Sequence, residues 1–288
     1  MGYYSEWDHD CKVFEFVKPF LRCVIMELVV FLPFILIWPN FLSPFYENRT
    51  NSGIGEEITL QLVSRGYGVV AVARTEAMRE KYAGNERIAV VLGDIVDPEV
   101  SKRAVETAVT KFGHLDAVVA NAGVLDPVGP LGATDIADWR RLFDINVFSV
   151  VQLIGDALPE LRKSGGRVVA VSLGASVGAY DGWSAYGASK AALNHIVSQL
   201  AAQEQSVSAI AVAPGVVDTA MQQDIRDKFG SNMKPEALKR FTDLHEQGKL
   251  LPVLVPAAVY VGLAINGWDP KLNGMYLRHD DERLKKEK

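Results

Sequence analysis

The sequence predicts an α/β fold built on a doubly wound parallel sheet, and three observations carry that prediction. Short, near-continuous runs of Val, Ala and Ile recur along the chain at Gly68–Ala73, Ile88–Leu92, Leu115–Ala120, Arg167–Val171 and Val207–Ala213. Segments of helical length separate them, for example Asp97–Phe112 and Asp135–Lys163. Gly53-Ile54-Gly55 stands directly before a helical pattern, EEITLQLVSRG. Strands that are apolar throughout belong to a sheet covered on both faces, and the helices between them are the covers. The crossovers are expected to be right-handed. Ligands of such sheets bind beyond the carboxyl ends of the strands.

Composition bounds the function. At ~150 residues per domain, a chain of 288 residues holds one or two domains, and 49% apolar residues supply a sizeable core. The formal net charge is −5, with no run of Lys or Arg before the last few residues. That excludes the broad basic field that nucleic-acid binding needs. Cys11 and Cys23 are the only cysteines, so there is no disulfide framework and no Cys-based metal site. No metal is expected.

The N-terminal segment differs in character from the rest of the chain. From Leu28 to Tyr46 there are 19 residues without a charge, 14 of them apolar. A membrane span takes ~20 such residues, but Pro33, Pro39 and Pro44 interrupt this one. Three readings stand: a membrane anchor through residues 28–46, a hydrophobic extension packed on the domain, or an N-terminus altered by a different start or splice, which is favoured. Asn48-Arg49-Thr50 fits a glycosylation sequon, which matters only in a lumenal setting. The expected organisation is therefore an atypical hydrophobic segment at 1–47, a single nucleotide-binding domain at 48–279 and a charged, solvated tail at 280–288.

Three positions carry chemical information. Glycines before a helix let the backbone approach a pyrophosphate, while the helix N-terminus supplies N–H donors and a favourable dipole. The next strand ends in Ala73-Arg74. A base at that place suits a 2′-phosphate, where an acid would receive a ribose hydroxyl, so NADP is favoured over NAD. Later, Tyr186-Gly187-Ala188-Ser189-Lys190 sets a phenol and an amine four residues apart on one helical face. A nearby ammonium lowers a phenol pKa, which makes the tyrosine a usable proton donor or acceptor.

With these motifs in place the chain resembles the short-chain dehydrogenase/reductase family over roughly residues 50–278. The matching elements come in family order: Ser52-Gly53-Ile54-Gly55, Asp94, Asn121-Ala122-Gly123, Asn146, Tyr186 with Lys190, then Pro214-Gly215 with Thr219. The run GWSAYGASKAALNH is close to fungal carbonyl reductases of the benzil- and sepiapterin-reductase-like branch. The resemblance implies a single-domain Rossmann-type sheet and NAD(P)-dependent hydride transfer to a small carbonyl or from an alcohol. It implies that Ser52 to Gly55 and Arg74 hold phosphates, that Asp94 and Ile95 take the adenine, and that Asn121 to Gly123 line its ribose. Lys190 would bind the nicotinamide ribose, and Pro214, Gly215, Val217 and Thr219 the nicotinamide end. Tyr186 would be the proton donor, with Asn146 holding a water of a relay to solvent. Leu125, Tyr180, Trp183 and Met221 are expected to line the substrate pocket, and residues 222–249 to fold over it or form a surface excursion. A homodimer or homotetramer packed through Asp138–Leu161 and Ser184–Ala202, and a cytoplasmic location, complete the expectation.

Two departures bear on activity. The family pattern places a strand and Thr-Gly ahead of Gly53, where this chain has Ser43-Pro44-Phe45-Tyr46-Glu47 and Asn48-Arg49. Proline and an acid are poor in a central parallel strand, and Arg cannot replace a turn glycine. The first strand is therefore expected to be missing or displaced, with Phe34–Ile37 as a substitute at the cost of a long loop. The family also has a Ser 13 residues before the Tyr, where this chain has Leu173. Ser172 should face the other side of the strand, and Ser176 is a weaker substitute. A catalytically impaired nucleotide-binding protein on the same fold is the alternative reading.

Overall fold

A computed structural model describes residues 22–26, as backbone, and residues 53–287, the last three as backbone. The described strands form one sheet in the order β3-β2-β1-β4-β5-β6-β7 with every pair parallel. The strands are β1 (Arg22–Met26), β2 (Gly68–Ala73), β3 (Ile88–Leu92), β4 (Ala117–Ala120), β5 (Arg167–Val171), β6 (Ser208–Ala213) and β7 (Tyr276–Arg278). Five were expected from their composition, with β4 and β6 starting later than predicted. The strand β7 had no strong signal.

The central strand corrects the sequence reading. β1 comes from Arg22–Met26, inside the segment set apart from the domain, and pairs with both β2 and β4. Neither Phe34–Ile37 nor residues 43–47 was needed for the place, and both lie outside the described residues. RCVIM carries a β-branched pair and no proline, so it accepts a hydrogen-bonded neighbour on each side.

The strands β2 to β6 are apolar on both faces, and alternate residues serve opposite helical layers. Val70, Val72, Val118, Ala120, Val168, Ala170, Ala209 and Ala211 join one core with α3 (Pro98–Phe112), α5 (Ser149–Ser164) and α6 (Ser184–Gln203). Val69, Ala117, Val119, Val169, Val171, Ile210 and Val212 join the other with α1 (Ile54–Ser64) and α9 (Leu254–Asn266). The helix α9 is apolar nearly all round because α1, the sheet and Leu284 enclose it. The tail is correspondingly not simply solvated: Leu284 is fully buried in this second core, and Arg283 pairs with Asp281.

Helix ends follow local chemistry. Asp97 caps α3, with Pro98 in its first turn and Gly113 in a left-handed conformation at its end. The stretch predicted as one helix from Asp135 to Lys163 is α4 (Ile136–Phe143), a π-helical turn at Asp144–Phe148, and α5. By length and composition the whole run 136–164 is apolar enough to cross a membrane, but half of its most apolar window is buried in the domain. The remaining short helices are α2 (Glu76–Lys81), α7 (Ala220–Asp227) and α8 (Pro235–Glu246).

One glycine sets how closely α6 approaches the sheet. A Cβ on Gly187 would lie 2.8 Å from the carbonyl oxygen of Ala175, in the turn after β5. Backbone cannot yield as a flexible side chain does. Gly187→Ala is expected to lower stability by ~1–3 kcal/mol, the usual cost of overpacking, read as a lower urea midpoint at unchanged slope.

Candidate active site

The carboxyl ends of β4, β5 and β6 meet the first turns of α6 around a cavity of about 250 Å³. Asn121, Gly123, Val171, Tyr186, Lys190 and Pro214 all line it. Sequence-distant motifs therefore converge at the place where strand order reverses between β1 and β4.

Tyr186 and Lys190 lie one helical turn apart, 8% and 2% exposed. The Lys190 ammonium donates to the carbonyl oxygen of Val171 at 2.8 Å, which ties α6 to the end of β5. The Tyr186 hydroxyl donates to the Met221 sulfur at 3.8 Å. Burial pushes the Tyr186 pKa up to about 12 and pulls Lys190 down to about 8. The expectation that the amine makes the phenol more acidic is thus not realised in the protein alone. Lys190 is held by the strand, and removal from water disfavours both charged forms.

Asn146 sits in the π-helical turn and is fully buried. Its Oδ1 accepts from the Val124 N–H at 2.8 Å, and its Nδ2 donates to the Val124 carbonyl at 2.8 Å and to Ser189 Oγ at 3.2 Å. Ser189 Oγ donates in turn to the Tyr186 carbonyl at 2.8 Å. Asn146 therefore stitches the loop after β4 to the helix that carries Tyr186. Both of its polar atoms already have protein partners, so a water relay would use the second lone pair of Oδ1 or the main chain.

The phosphate-loop candidates divide. Ser52 lies outside the described residues. Gly53 precedes α1 in extended conformation with no side-chain cap, and Gly53 and Ile54 reach the cavity, while Gly55 is buried within the helix. Arg74 is exposed at the end of β2 and lines a second cavity of about 330 Å³ with Leu125, Arg141 and Lys228. Gly123, Ala220 and Met221 border both cavities, so Met221 stands between them. Leu125 lines the second cavity and packs in one buried cluster with Trp183, Tyr186 and Met221.

Asp94 and Ile95 follow β3 outside both cavities. Asp94 is exposed and accepts from the Val96 N–H, and Ile95 is in the core. Ala122 is buried behind the wall. Gly215 has φ +86°, where a side chain is strained, and a Cβ there would meet Leu251 at 2.7 Å. Val217 and Thr219 line the cavity, with Thr219 also capping α7.

Tyr180 and Trp183 line the cavity as expected, but sequence reading missed what covers them. The helix α8 brings Phe241 onto Trp183, with ring centroids 5.3 Å apart and planes at 16°. Tyr180 stacks on the other face of Trp183 at 5.3 Å and 17°, and the Arg240 guanidinium lies 5.3 Å from the Tyr180 ring centre. Residues 222–249 thus fold over the cavity rather than away from it. The signal available was the lone aromatic in the amphipathic run PEALKRFTDLHE.

Leu173 lines the cavity at the position where the family pattern has Ser. Neither nearby serine replaces it. Ser172 Oγ donates to Asn194 Oδ1 at 2.6 Å, Asn194 Nδ2 donates to Ser176 Oγ at 2.8 Å, and Ser176 Oγ donates to the Leu173 carbonyl at 2.6 Å.

Comparison with known proteins accounts for this geometry. The short chain dehydrogenase family matches residues 50–229. The chain belongs to that family and is an oxidoreductase of it. It is 47% identical over 239 residues to the uncharacterized oxidoreductase YIR035C of Saccharomyces cerevisiae, covering 81% of this chain and 93% of the relative. It is 48% identical over 229 residues to the (S)-benzoin-forming benzil reductase IRC24 of the same yeast, covering 75% and 87%. The crystal structure of the YIR035C protein superposes with a TM-score of 0.81 at 41% identity, covering 92% of this chain and 98% of that one. That of the KRED1-Pglu enzyme gives 0.78 at 44%, covering 89% and 99%.

Lys190 supplies a pH test. Its proton is held less tightly in the fold, at about 8, than in the unfolded chain, near 10.5. Between those values the unfolded state binds more protons, so the parent gains stability as pH rises, while Lys190→Met has no such dependence. The parent is expected to gain on the variant by roughly 3 kcal/mol from pH 8 to 10.5, measured by paired denaturant titrations.

Proposed function

We propose that this protein is an NADP(H)-dependent reductase of a small, apolar carbonyl compound, able to run in the alcohol-oxidising direction. The observation that carries the reading is the convergence of Tyr186, Lys190 and Gly123 on one apolar cavity beyond the strand ends. A Cβ on Gly123 would stand 3.3 Å from Asn146 Oδ1 and 3.4 Å from Lys190 Nζ, so its absence leaves room for a ligand to reach the amine. The uncapped start of α1 at Gly53 offers N–H groups to a pyrophosphate.

Gly53 to Gly55 would hold the pyrophosphate, Arg74 the 2′-phosphate, Asn121 to Gly123 the adenosine ribose, and Pro214 to Thr219 the nicotinamide end. Asp94 and Ile95 would take the adenine. When bound, the nicotinamide supplies the hydride. Tyr186 holds a neutral hydroxyl over the working pH range and donates its proton to the carbonyl oxygen. Lys190 keeps positive charge beside the phenolate that results, at pH values below about 8. The wall of Leu173, Tyr180, Trp183, Met221 and Phe241 favours an apolar, ring-bearing substrate over a sugar-like one. Identity to a relative named for benzil supports an aryl ketone as the first assay substrate.

Leu173 also supports a second reading, an impaired enzyme that binds nucleotide with little turnover. Fluorescence titration with NADPH separates the two when paired with carbonyl assays, since binding without turnover of any dicarbonyl or aldehyde favours the second. In that case Leu173→Ser should raise turnover at unchanged NADPH affinity. Phe148 and Val151 are exposed on the α5 side, which supports a homodimer or homotetramer through these helices. A cytoplasmic location is supported by a 42%-identical yeast protein described as cytoplasmic. Residues 28–46, the membrane alternative, lie outside the described structure.

Two substitutions test the main reading. Tyr186→Phe should reduce NADPH-dependent benzil reduction by ~10²–10⁴, the usual contribution of a positioned proton donor, with NADPH binding retained. Arg74→Ala should weaken NADPH by roughly 10–100-fold and leave NADH nearly unchanged, the worth of one charge-assisted hydrogen bond. Equal losses for both cofactors would place the 2′-phosphate elsewhere.

A further inference from the structure

We propose that Tyr180 is a catalytic residue whose hydroxyl donates the second hydrogen bond to the substrate carbonyl oxygen, beside Tyr186. The proposal rests on the reductase reading and deepens it. Negative charge builds on the oxygen as hydride reaches the carbon, and a single donor leaves that charge poorly matched in an apolar cavity. Leu173 cannot donate. The hydroxyls of Ser172 and Ser176 are closed into the Asn194 network and already point their protons at Asn194 and at the Leu173 carbonyl. Thr219 faces its own helix, donating to the Val217 carbonyl at 3.4 Å and accepting from the Gln222 N–H.

Tyr180 remains. It is half-buried in the wall of the cavity that holds Tyr186. Its hydroxyl oxygen reaches over the turn directly after Leu173, 3.1 Å from where a Cβ on Gly174 would stand. Among the described residues that hydroxyl has no hydrogen-bond partner. Its ring is held between Trp183 on one side and the Arg240 guanidinium within cation–π range. Trp183 in turn meets the Tyr186 ring edge-on at 5.9 Å. Both phenols are therefore indexed to one indole, and little ordering entropy remains to be lost when substrate arrives. No covalent step is added: Tyr186 transfers the proton, and Tyr180 keeps its own throughout.

The test is Tyr180→Phe, which keeps the ring stack and removes only the hydroxyl. With an aryl ketone and saturating NADPH, kcat is expected to fall by ~10–100-fold, toward the loss seen when one oxyanion donor is removed, with NADPH affinity and thermal midpoint as in the parent. Adding Leu173→Ser to that variant should restore at least tenfold, because a serine hydroxyl then occupies the vacant donor position. A kcat within twofold of the parent in Tyr180→Phe overturns the assignment while leaving the reductase reading intact. So does a deficit that Leu173→Ser leaves unrepaired, since it places the effect in the stack rather than at the oxygen. A parent with no carbonyl reduction, or full activity in Tyr186→Phe, overturns both readings together.

Discussion

The site depends on the seating of α6 against the carboxyl end of β5. Lys190 reaches back to the Val171 carbonyl, and Gly187 lets the helix come within contact of the Ala175 backbone. Asn146 adds the third fixed point by tying the loop after β4 to Ser189 of the same helix. Three elements far apart in sequence are thereby locked around one phenol. The π-helical turn at Asp144–Phe148 departs from regular helix geometry where the buried side chain of Asn146 faces inward. A buried amide left half-satisfied there would cost more than the turn does.

Burial governs the electrostatics. Water is excluded from Tyr186 and Lys190 more effectively than the two groups assist each other, so each is pushed toward its neutral form. A neutral phenol is the form that can give a proton to a carbonyl oxygen. An amine that titrates near pH 8 remains mostly cationic at neutral pH but is easily influenced by a neighbouring negative charge. The same dry environment raises the worth of every hydrogen bond aimed at the reacting oxygen.

The cover over the cavity is aromatic and layered. Arg240 and Phe241 of α8 pack on Tyr180 and Trp183 of the loop before α6. Stacked rings gain beyond the area they bury, and the Lys234–Asp181 pair adds a polar tie between the start of α8 and the loop before α6. Met221, on α7, borders both cavities and accepts from the Tyr186 hydroxyl through its sulfur, a weak acceptor.

Sequence alone determined the layers, most strands and the placing of Tyr186 and Lys190 one turn apart on one helix, because apolar runs and helical spacing are local signals. It also placed Arg74 at a strand end and exposed the substitution at Leu173. It failed for β1, where a five-residue run lies far upstream of the motif it supports and resembles many other apolar runs nearby. Only its two neighbours in the sheet select it. It failed for Phe241, whose partner is distant in sequence. The direction of both pKa shifts was likewise hidden, since spacing reports how near two charges can come and says nothing of how much water is left between them. Tertiary structure decided these points because desolvation, stacking and the choice of hydrogen-bond partner are properties of the assembled interior.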